Sequence, residues 1–382
     1  MYIMSRLSPR NEIEYEPLGK KILFWRRIHP IWQVLLYCFL TGIFVHVLDQ
    51  RTPRPVSPSP PESPRVPMQN GKDEKDSWPK VAWLMSFPNS GTTYTTEVVV
   101  TMTNTTTGTN YGLECPNDES VPILKDLTGG PFWKDPAMDR PARFVLTKTH
   151  CGGRCTECGP EKYVETMRSF EVACRSGNIN GNRDGPGRKM EMVQYNATRA
   201  RVTKAVHLVR NPLDNLVSRL HMERKRWEMK GDREGRLRKF PSSKDGLQAW
   251  CRFLDSHRYK EELASRWMDK DLMSLERRVP CHAEFYRYIQ WHNLALEVTK
   301  RMKLETMVLY YEDYTDHFEE TVHSLLDFLE LEPVAKPRLF VTGKHYDQYF
   351  DAEEVATVLG LVRELASSDT LALLERYFTP WL

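Results

Sequence analysis

Val81-Ala82-Trp83-Leu84-Met85-Ser86-Phe87-Pro88-Asn89-Ser90-Gly91-Thr92-Thr93-Tyr94 decides the fold. The apolar run from Val81 to Met85 feeds straight into a tight loop and then a helix start. Gly91 lets the backbone turn closely. Consecutive N–H groups at a helix N-terminus make a concave positive site suited to a phosphate or a sulfate. The loop is not the nucleotidase or kinase pattern G-x-x-x-x-G-K-[ST], because no lysine follows the glycine. An anion cradle is expected here, and the loop alone does not choose its ligand.

Two further segments repeat this logic. Val202 to Val209 is a strand candidate ending in Arg210-Asn211-Pro212-Leu213-Asp214-Asn215-Leu216-Val217-Ser218. Asn211 is a cap for a helix whose first residue is Pro212. The spacing of Asn211, Asp214 or Asn215, and Ser218 puts the Ser218 hydroxyl on the face of the cap. An arginine fork beside a hydroxyl suits a phosphate monoester, although a salt-bridged arginine and a capped helix explain the same residues. Between these segments, Arg143 to His150 reads as another strand, with Lys148 and His150 at its C-terminal end. Residues i and i+2 of an extended chain point to one side, so an ammonium and an imidazole face one cleft. That cleft lies where open α/β sheets bind ligands. Histidine can accept a proton near neutral pH there.

Together the three pieces resemble the sulfotransferase family. Phe87 to Tyr94 looks like its 5′-phosphosulfate loop, Lys148-Thr149-His150 like its Lys-Thr-His, and Arg210 to Ser218 like its segment for the 3′-phosphate. Tyr310-Tyr311-Glu312-Asp313, followed by a helix ending in Phe328-Leu329, is similar to a later strand and helix of the family. The resemblance implies an α/β fold with a three-layer parallel sheet flanked by helices. It also implies 3′-phosphoadenosine 5′-phosphosulfate as donor, with no metal required. Asn89, Ser90, Gly91, Thr92 and Thr93 then hold the 5′-phosphosulfate, Tyr94 stacks on adenine, and Arg210 and Ser218 hold the 3′-phosphate. His150 is the base for an acceptor hydroxyl, and Lys148 contacts the moving sulfuryl oxygens. Such in-line transfer needs positioning and stabilisation of spread negative charge.

One position departs from the family pattern. Asn89 stands where the family usually carries Lys or Arg, and an amide donates a hydrogen bond without bringing charge. Loss of one such donor lowers a rate on the order of 100-fold to 1000-fold, so Lys148, Lys344 or Lys204 is expected to compensate. The basic run from Arg219 to Lys239 reads as a solvated helix and loop, or as a rim that attracts an anionic glycan.

The 382 residues suffice for one large α/β domain with appendages, and a net charge of +3 is too small to indicate a nucleic-acid partner. Ile31 to Leu48 carries no charged residue. At about 1.5 Å per residue it spans roughly 27 Å, near the hydrocarbon thickness of a bilayer. Lys20, Lys21, Arg26 and Arg27 precede it and direct the N-terminus to the cytosol. The expected organisation is a cytosolic tail (1–30), a single-pass signal anchor (31–48), a Pro-rich stem (49–78) and a lumenal catalytic domain (79–382). This is the type II topology of a Golgi membrane enzyme, whose hydroxyl acceptor is expected to be a glycan; a homo-oligomer stays open.

Seven cysteines follow Cys38: Cys115, Cys151, Cys155, Cys158, Cys174, Cys251 and Cys281. An oxidising lumen favours disulfide bracing, while Cys151, Cys155 and Cys158 beside His150 also fit a zinc cluster. Asn104-Thr105-Thr106 and Asn196-Ala197-Thr198 are glycosylation acceptors. Gly177 to Lys189 reads as a surface loop. Two other functions remain open from sequence: a nucleotide or small-molecule kinase using the same loop for ATP, and a non-catalytic nucleotide-binding relative.

Overall fold

In the computed structural model of the chain, the run Val81 to Met85 lies inside β1 (Lys80–Ser86), buried from Val81 onward. Burial on both faces is what a central parallel strand requires. Val81, Trp83 and Met85 pack into one hydrophobic cluster and Ala82 and Leu84 into another, as the period of two in a strand dictates. The described residues are 79–112, 123, 130–134, 143–152, 164–179, 191–196, 201–265, 269–336 and 346–379. All lie in the compact unit Asn70–Leu382.

After β1 come α1 (Thr92–Thr103), β2 (Gly108–Thr109), β3 (Phe132–Trp133), β4 (Phe144–Thr149), α2 (Met167–Cys174), β5 (Ser176–Ile179), β6 (Glu191–Gln194) and β7 (Val202–Val209). Then follow α3 (Pro212–Met229), α4 (Arg236–Lys239), α5 (Lys244–Ala264), α6 (Lys270–Glu276), α7 (His282–Arg301) and β8 (Glu305–Tyr310). The last helices are α8 (Asp313–Asp316), α9 (Phe318–Phe328), α10 (Ala352–Leu365) and α11 (Ser368–Phe378).

The main sheet has the order β3-β2-β4-β1-β7-β8. Neighbours run parallel except at one edge, where β3 is antiparallel to β2, so the expected all-parallel sheet is corrected to a mixed one. Helices cover both faces. On one side α3, α5, α7, α10 and α11 pack on Val81, Trp83, Val145 and Ala205. On the other, α1 and α9 pack on Leu84, Leu146, Val206 and Leu208. β5 and β6 form a separate antiparallel pair. Gly177 therefore lies in a strand rather than a loop, and residues 180–190 lie outside the described residues.

Among the described residues, no helix is long and apolar enough to cross a membrane. The tail, the anchor 31–48 and the stem lie outside the described residues, as do Cys115, Cys155, Cys158, Lys344 and the end of the Asn196 triplet. Asn104 is exposed, with φ of 50° at the C-cap of α1.

Candidate active site

After β1 the chain fills β2, β3 and β4 on one side of that strand and later β7 and β8 on the other. β1 is thus the point where the strand order reverses, and the crevice beyond its C-terminal end is where such sheets bind ligands. Leu84 pairs with Lys148 and Ser86 with Leu208, while Val209 pairs with Tyr310. Lys148 and His150, the loop 87–91, Arg210, and Tyr311 with Glu312 therefore stand side by side at four adjacent strand ends.

The loop is shaped by backbone conformation. Asn89 has φ of 70° and Gly91 φ of 101°. Asn is one of the few residues that adopts the left-handed region readily, which gives Asn89 a structural reason to be there. At Gly91 a Cβ would fall 2.2 Å from Cδ2 of Tyr311, so only glycine fits. Gly91 is also the N-cap of α1 and makes no side-chain cap hydrogen bond. The first N–H groups of α1 are then suited to an anion.

Neighbouring elements clamp the loop. Arg210 Nη1 donates to the Asn89 carbonyl at 2.7 Å, and its guanidinium lies 4.6 Å from the centre of the Tyr311 ring. Asn215 Nδ2 donates to the Pro88 carbonyl at 3.0 Å and to Ser90 Oγ at 3.1 Å. Ser86 Oγ and Thr92 Oγ1 share a 2.7 Å hydrogen bond. Two buried donors, Asn89 Nδ2 and Arg210 Nε, have no partner among the described residues.

The helix that presents Arg210 is capped as the sequence predicts. Asn211 Oδ1 accepts from the Leu213 N–H at 2.9 Å, with Pro212 at the first helical position. Glu312 accepts from the Asn211 N–H at 2.9 Å and from the Tyr377 hydroxyl at 2.7 Å, tying α3 to the end of β8 and to α11. The Tyr288 hydroxyl donates to the Arg210 carbonyl. Of the two residues that spacing left open, Asn215 reaches the loop. Ser218 is half-buried on α3.

His150 is held from several sides. Its Nδ1 lies 2.8 Å from the Ser86 carbonyl and 3.2 Å from Ser86 Oγ. A carbonyl only accepts, so the ring proton sits on Nδ1 and the lone pair on Nε2. The His150 N–H donates to the Tyr111 hydroxyl at 3.0 Å, and Trp291 Nε1 donates to the His150 carbonyl at 2.7 Å. The Tyr111 ring stacks on the imidazole, 6.0 Å between centres.

Cys151 forms a disulfide with Cys174. That takes Cys151 out of the zinc cluster considered from sequence and fixes the chain just past His150 to the end of α2. A second disulfide joins Cys251 to Cys281. Both agree with the expectation of bracing.

The structure corrects three expectations about charge. Lys204 cannot serve the loop, because it stands six residues, about 20 Å, back along β7 from Arg210. Its Nζ donates to the Phe328 carbonyl at 2.7 Å and to Glu330 at 3.2 Å. Arg219 is not a solvated residue: it is 1% exposed and ion-paired with Glu284. Arg224 donates to the backbone carbonyls of Leu237 and Phe240, so only part of the basic run faces solvent.

Tyr94 packs edge-on against Tyr314 with ring centres 5.0 Å apart. Burial first, and then Tyr311 and Glu97, push its hydroxyl up to about 12. Several residues at the site carried no signal in the sequence. Tyr111, Trp291 and Tyr288 come from outside every motif and meet it only through folding. Glu165 is another: its Oε1 would lie 2.6 Å from a Cβ on Gly152, two residues past His150. Burial pushes that carboxyl up to about 7 against the lowering field of Arg287.

A family model described as a sulfotransferase domain matches residues 190–339, less than half of the chain. It covers β7, the Arg210 to Ser218 segment and β8, and does not extend to the loop after β1 or to Lys148 and His150. The match supports an enzyme with sulfotransferase activity. No curated protein and no solved structure matches the chain.

Proposed function

We propose that this chain transfers a sulfuryl group from 3′-phosphoadenosine 5′-phosphosulfate to a carbohydrate hydroxyl. One observation carries the reading: a cradle for an anion and an imidazole with its lone pair on Nε2 converge at the ends of neighbouring strands. The loop residues fit such a donor by their own chemistry. Gly91 leaves no Cβ in the cradle, α1 lacks a side-chain cap, and Asn89 Nδ2 and Arg210 Nε are buried donors awaiting acceptors.

When bound, the donor supplies a sulfuryl group already joined to a good leaving group. The N–H groups and hydroxyls from Ser90 to Thr93 hold its 5′ end, Arg210 and Ser218 its 3′-phosphate, and Tyr94 its adenine. Arg210 has a second duty, because its bond to the Asn89 carbonyl sets the loop. His150 Nε2 takes the proton of the acceptor hydroxyl. By holding the ring proton on Nδ1, the Ser86 carbonyl leaves Nε2 as the accepting nitrogen of the neutral ring and stabilises the imidazolium formed afterwards. Lys148 supplies positive charge for the sulfuryl oxygens. No metal is assigned to the chemistry.

A lumenal, Golgi-type setting with a glycan acceptor is part of the proposal. The charge-free stretch 31–48 supports it, as do two disulfides, which persist in oxidising compartments. The test offers labelled donor with a panel of glycans, tyrosine peptides and small alcohols. His150→Ala and Lys148→Ala are each expected to lower transfer by on the order of 100-fold or more; unchanged activity in both rejects the mechanism.

Asn89 favours a second reading, a relative that binds the nucleotide without turnover, because its amide brings no charge to the loop. Adenosine 3′,5′-bisphosphate that raises the melting temperature while no acceptor is sulfated selects that reading.

A further inference from the structure

α5, α6 and α7 meet at a cluster that sulfuryl transfer does not use. Glu262 lies near the end of α5, Glu276 ends α6 and His282 opens α7. Glu262 and Glu276 are 1% exposed and His282 is 3% exposed. His282 Nε2 is 2.7 Å from Glu262 Oε2, and its Nδ1 is 3.0 Å from Asp255 Oδ1. One donor atom from each of Glu262, Glu276 and His282 lies within 4.8 Å of the other two.

Glu276 is the anomaly. Both of its carboxyl oxygens are buried and have no hydrogen-bond partner among the described residues. A buried carboxylate without a partner is unfavourable by several kcal/mol, so such a group takes up a proton, pairs with a cation or coordinates a metal. The carboxyl is aimed into the cluster, where the nearest donor set is one imidazole and one further carboxylate.

We propose that Glu262, Glu276 and His282 bind a divalent cation, and that the cation is zinc. One imidazole and two carboxylates form a set that zinc accepts, with a fourth position left for water. Ligands at about 2.0–2.2 Å and tetrahedral angles stand about 3.3 Å apart. The cation therefore enters if the Glu262 to His282 contact, now 2.7 Å, widens by roughly half an ångström and the Glu276 oxygen, within 4.8 Å of both, settles at the same spacing. Asp255 stands beside Nδ1 of His282 at ion-pair distance, where its charge favours a proton on that nitrogen and leaves Nε2 as the ligand atom. Asp255 is itself tied down, since its Oδ2 accepts from the Cys281 N–H at 3.0 Å.

The role is structural. The ion joins three helices beside the Cys251–Cys281 disulfide. It steadies the start of α7, about 9 Å along the helix from Tyr288, which holds the Arg210 carbonyl. Trp291, which holds the His150 carbonyl, follows on the same helix. The proposal does not depend on the sulfotransferase reading, because it rests only on this cluster.

The experiment is metal analysis of the full chain, produced with zinc in the medium and purified without chelator or immobilised metal. The expected result is about one zinc per chain. Phenanthroline should lower the melting temperature, and added zinc should restore it. Glu276→Gln, which keeps the shape and removes the anion, should retain less than about a tenth of the zinc and should not respond to the chelator. Asp255→Asn should weaken zinc binding by about 10-fold to 100-fold without removing a ligand. A wild-type chain without stoichiometric metal, whose melting moves with neither chelator nor zinc, overturns the site whatever the variants do. Stoichiometric manganese or calcium in place of zinc overturns the choice of ion.

Discussion

Gly91→Ala should damage the protein through one atom. The residue sits at φ of 101° and ψ of 13°, where an L side chain is strained by roughly 1–2 kcal/mol. The added methyl would stand 2.2 Å from Cδ2 and 2.4 Å from Cε2 of Tyr311, so that ring must move. Forced repacking of this kind adds roughly 1–3 kcal/mol. The ring also lies against the Arg210 guanidinium, which in turn holds the Asn89 carbonyl, so the disturbance passes to the loop. The expected loss is about 2–5 kcal/mol, read from urea midpoints at constant slope. Tyr311→Ala in the same background should recover the steric part and leave the backbone part. The double variant should therefore be more stable than the sum of the single losses implies, by about 1–3 kcal/mol. A loss under about 0.5 kcal/mol, or strict additivity with Tyr311→Ala, would refute the reasoning.

Two other perturbations test the packing that carries the site. Tyr195→Phe removes the acceptor of Trp83 Nε1 (2.8 Å) and the donor to Asn110 Oδ1 (3.0 Å) in a buried chain of bonds. A loss of about 1–3 kcal/mol is expected in denaturant, and an unchanged midpoint would mean that neither bond stabilises the fold. His207 is fully buried between β7 and α7, and burial depresses it from 6.5 to about 4. The unfolded chain takes up its proton near pH 6.5 and the folded chain only near 4, so stability is full above pH 6.5 and falls as pH drops toward 4. The difference is about 3 kcal/mol. His207→Gln retains a donor for Thr299, which now lies 3.1 Å from Nε2, and removes the titration. Its stability between pH 7 and 4 should fall less steeply, though not be flat, because burial also depresses His292. An acid limb that superposes on the wild type would exclude His207 as its source.

The strands and the helix cap were legible because their signals are local. Val202 to Val209 is the strand β7 residue for residue, and Asn211 with Pro212 opens α3 as written. Apolar runs and caps depend on neighbours within a few residues, so they survive being read without the fold. The mixed edge of the sheet was not legible, since β3 is two residues long and pairs antiparallel through a distant partner. Nor was the fate of individual charges. Lys204, Arg219 and Arg210 look alike in sequence; Lys204 is spent on Phe328 and Glu330, Arg219 on Glu284, and only Arg210 reaches the loop.

The sequence by itself determined that an apolar strand runs into a glycine loop, that a lysine and a histidine stand at the end of a second strand, and that a capped helix follows a third. Those facts follow from local periodicity and from the stereochemistry of glycine, asparagine and proline. Only the tertiary structure decided that the three strand ends are neighbours, since strand order is set by pairing between residues far apart in the chain. It alone also set the tautomer of His150, which depends on the carbonyl of Ser86, sixty-four positions away. The cluster of Glu262, Glu276 and His282 was likewise invisible until three helices packed, because burial and not spacing is what leaves both Glu276 carboxyl oxygens without a partner among the described residues.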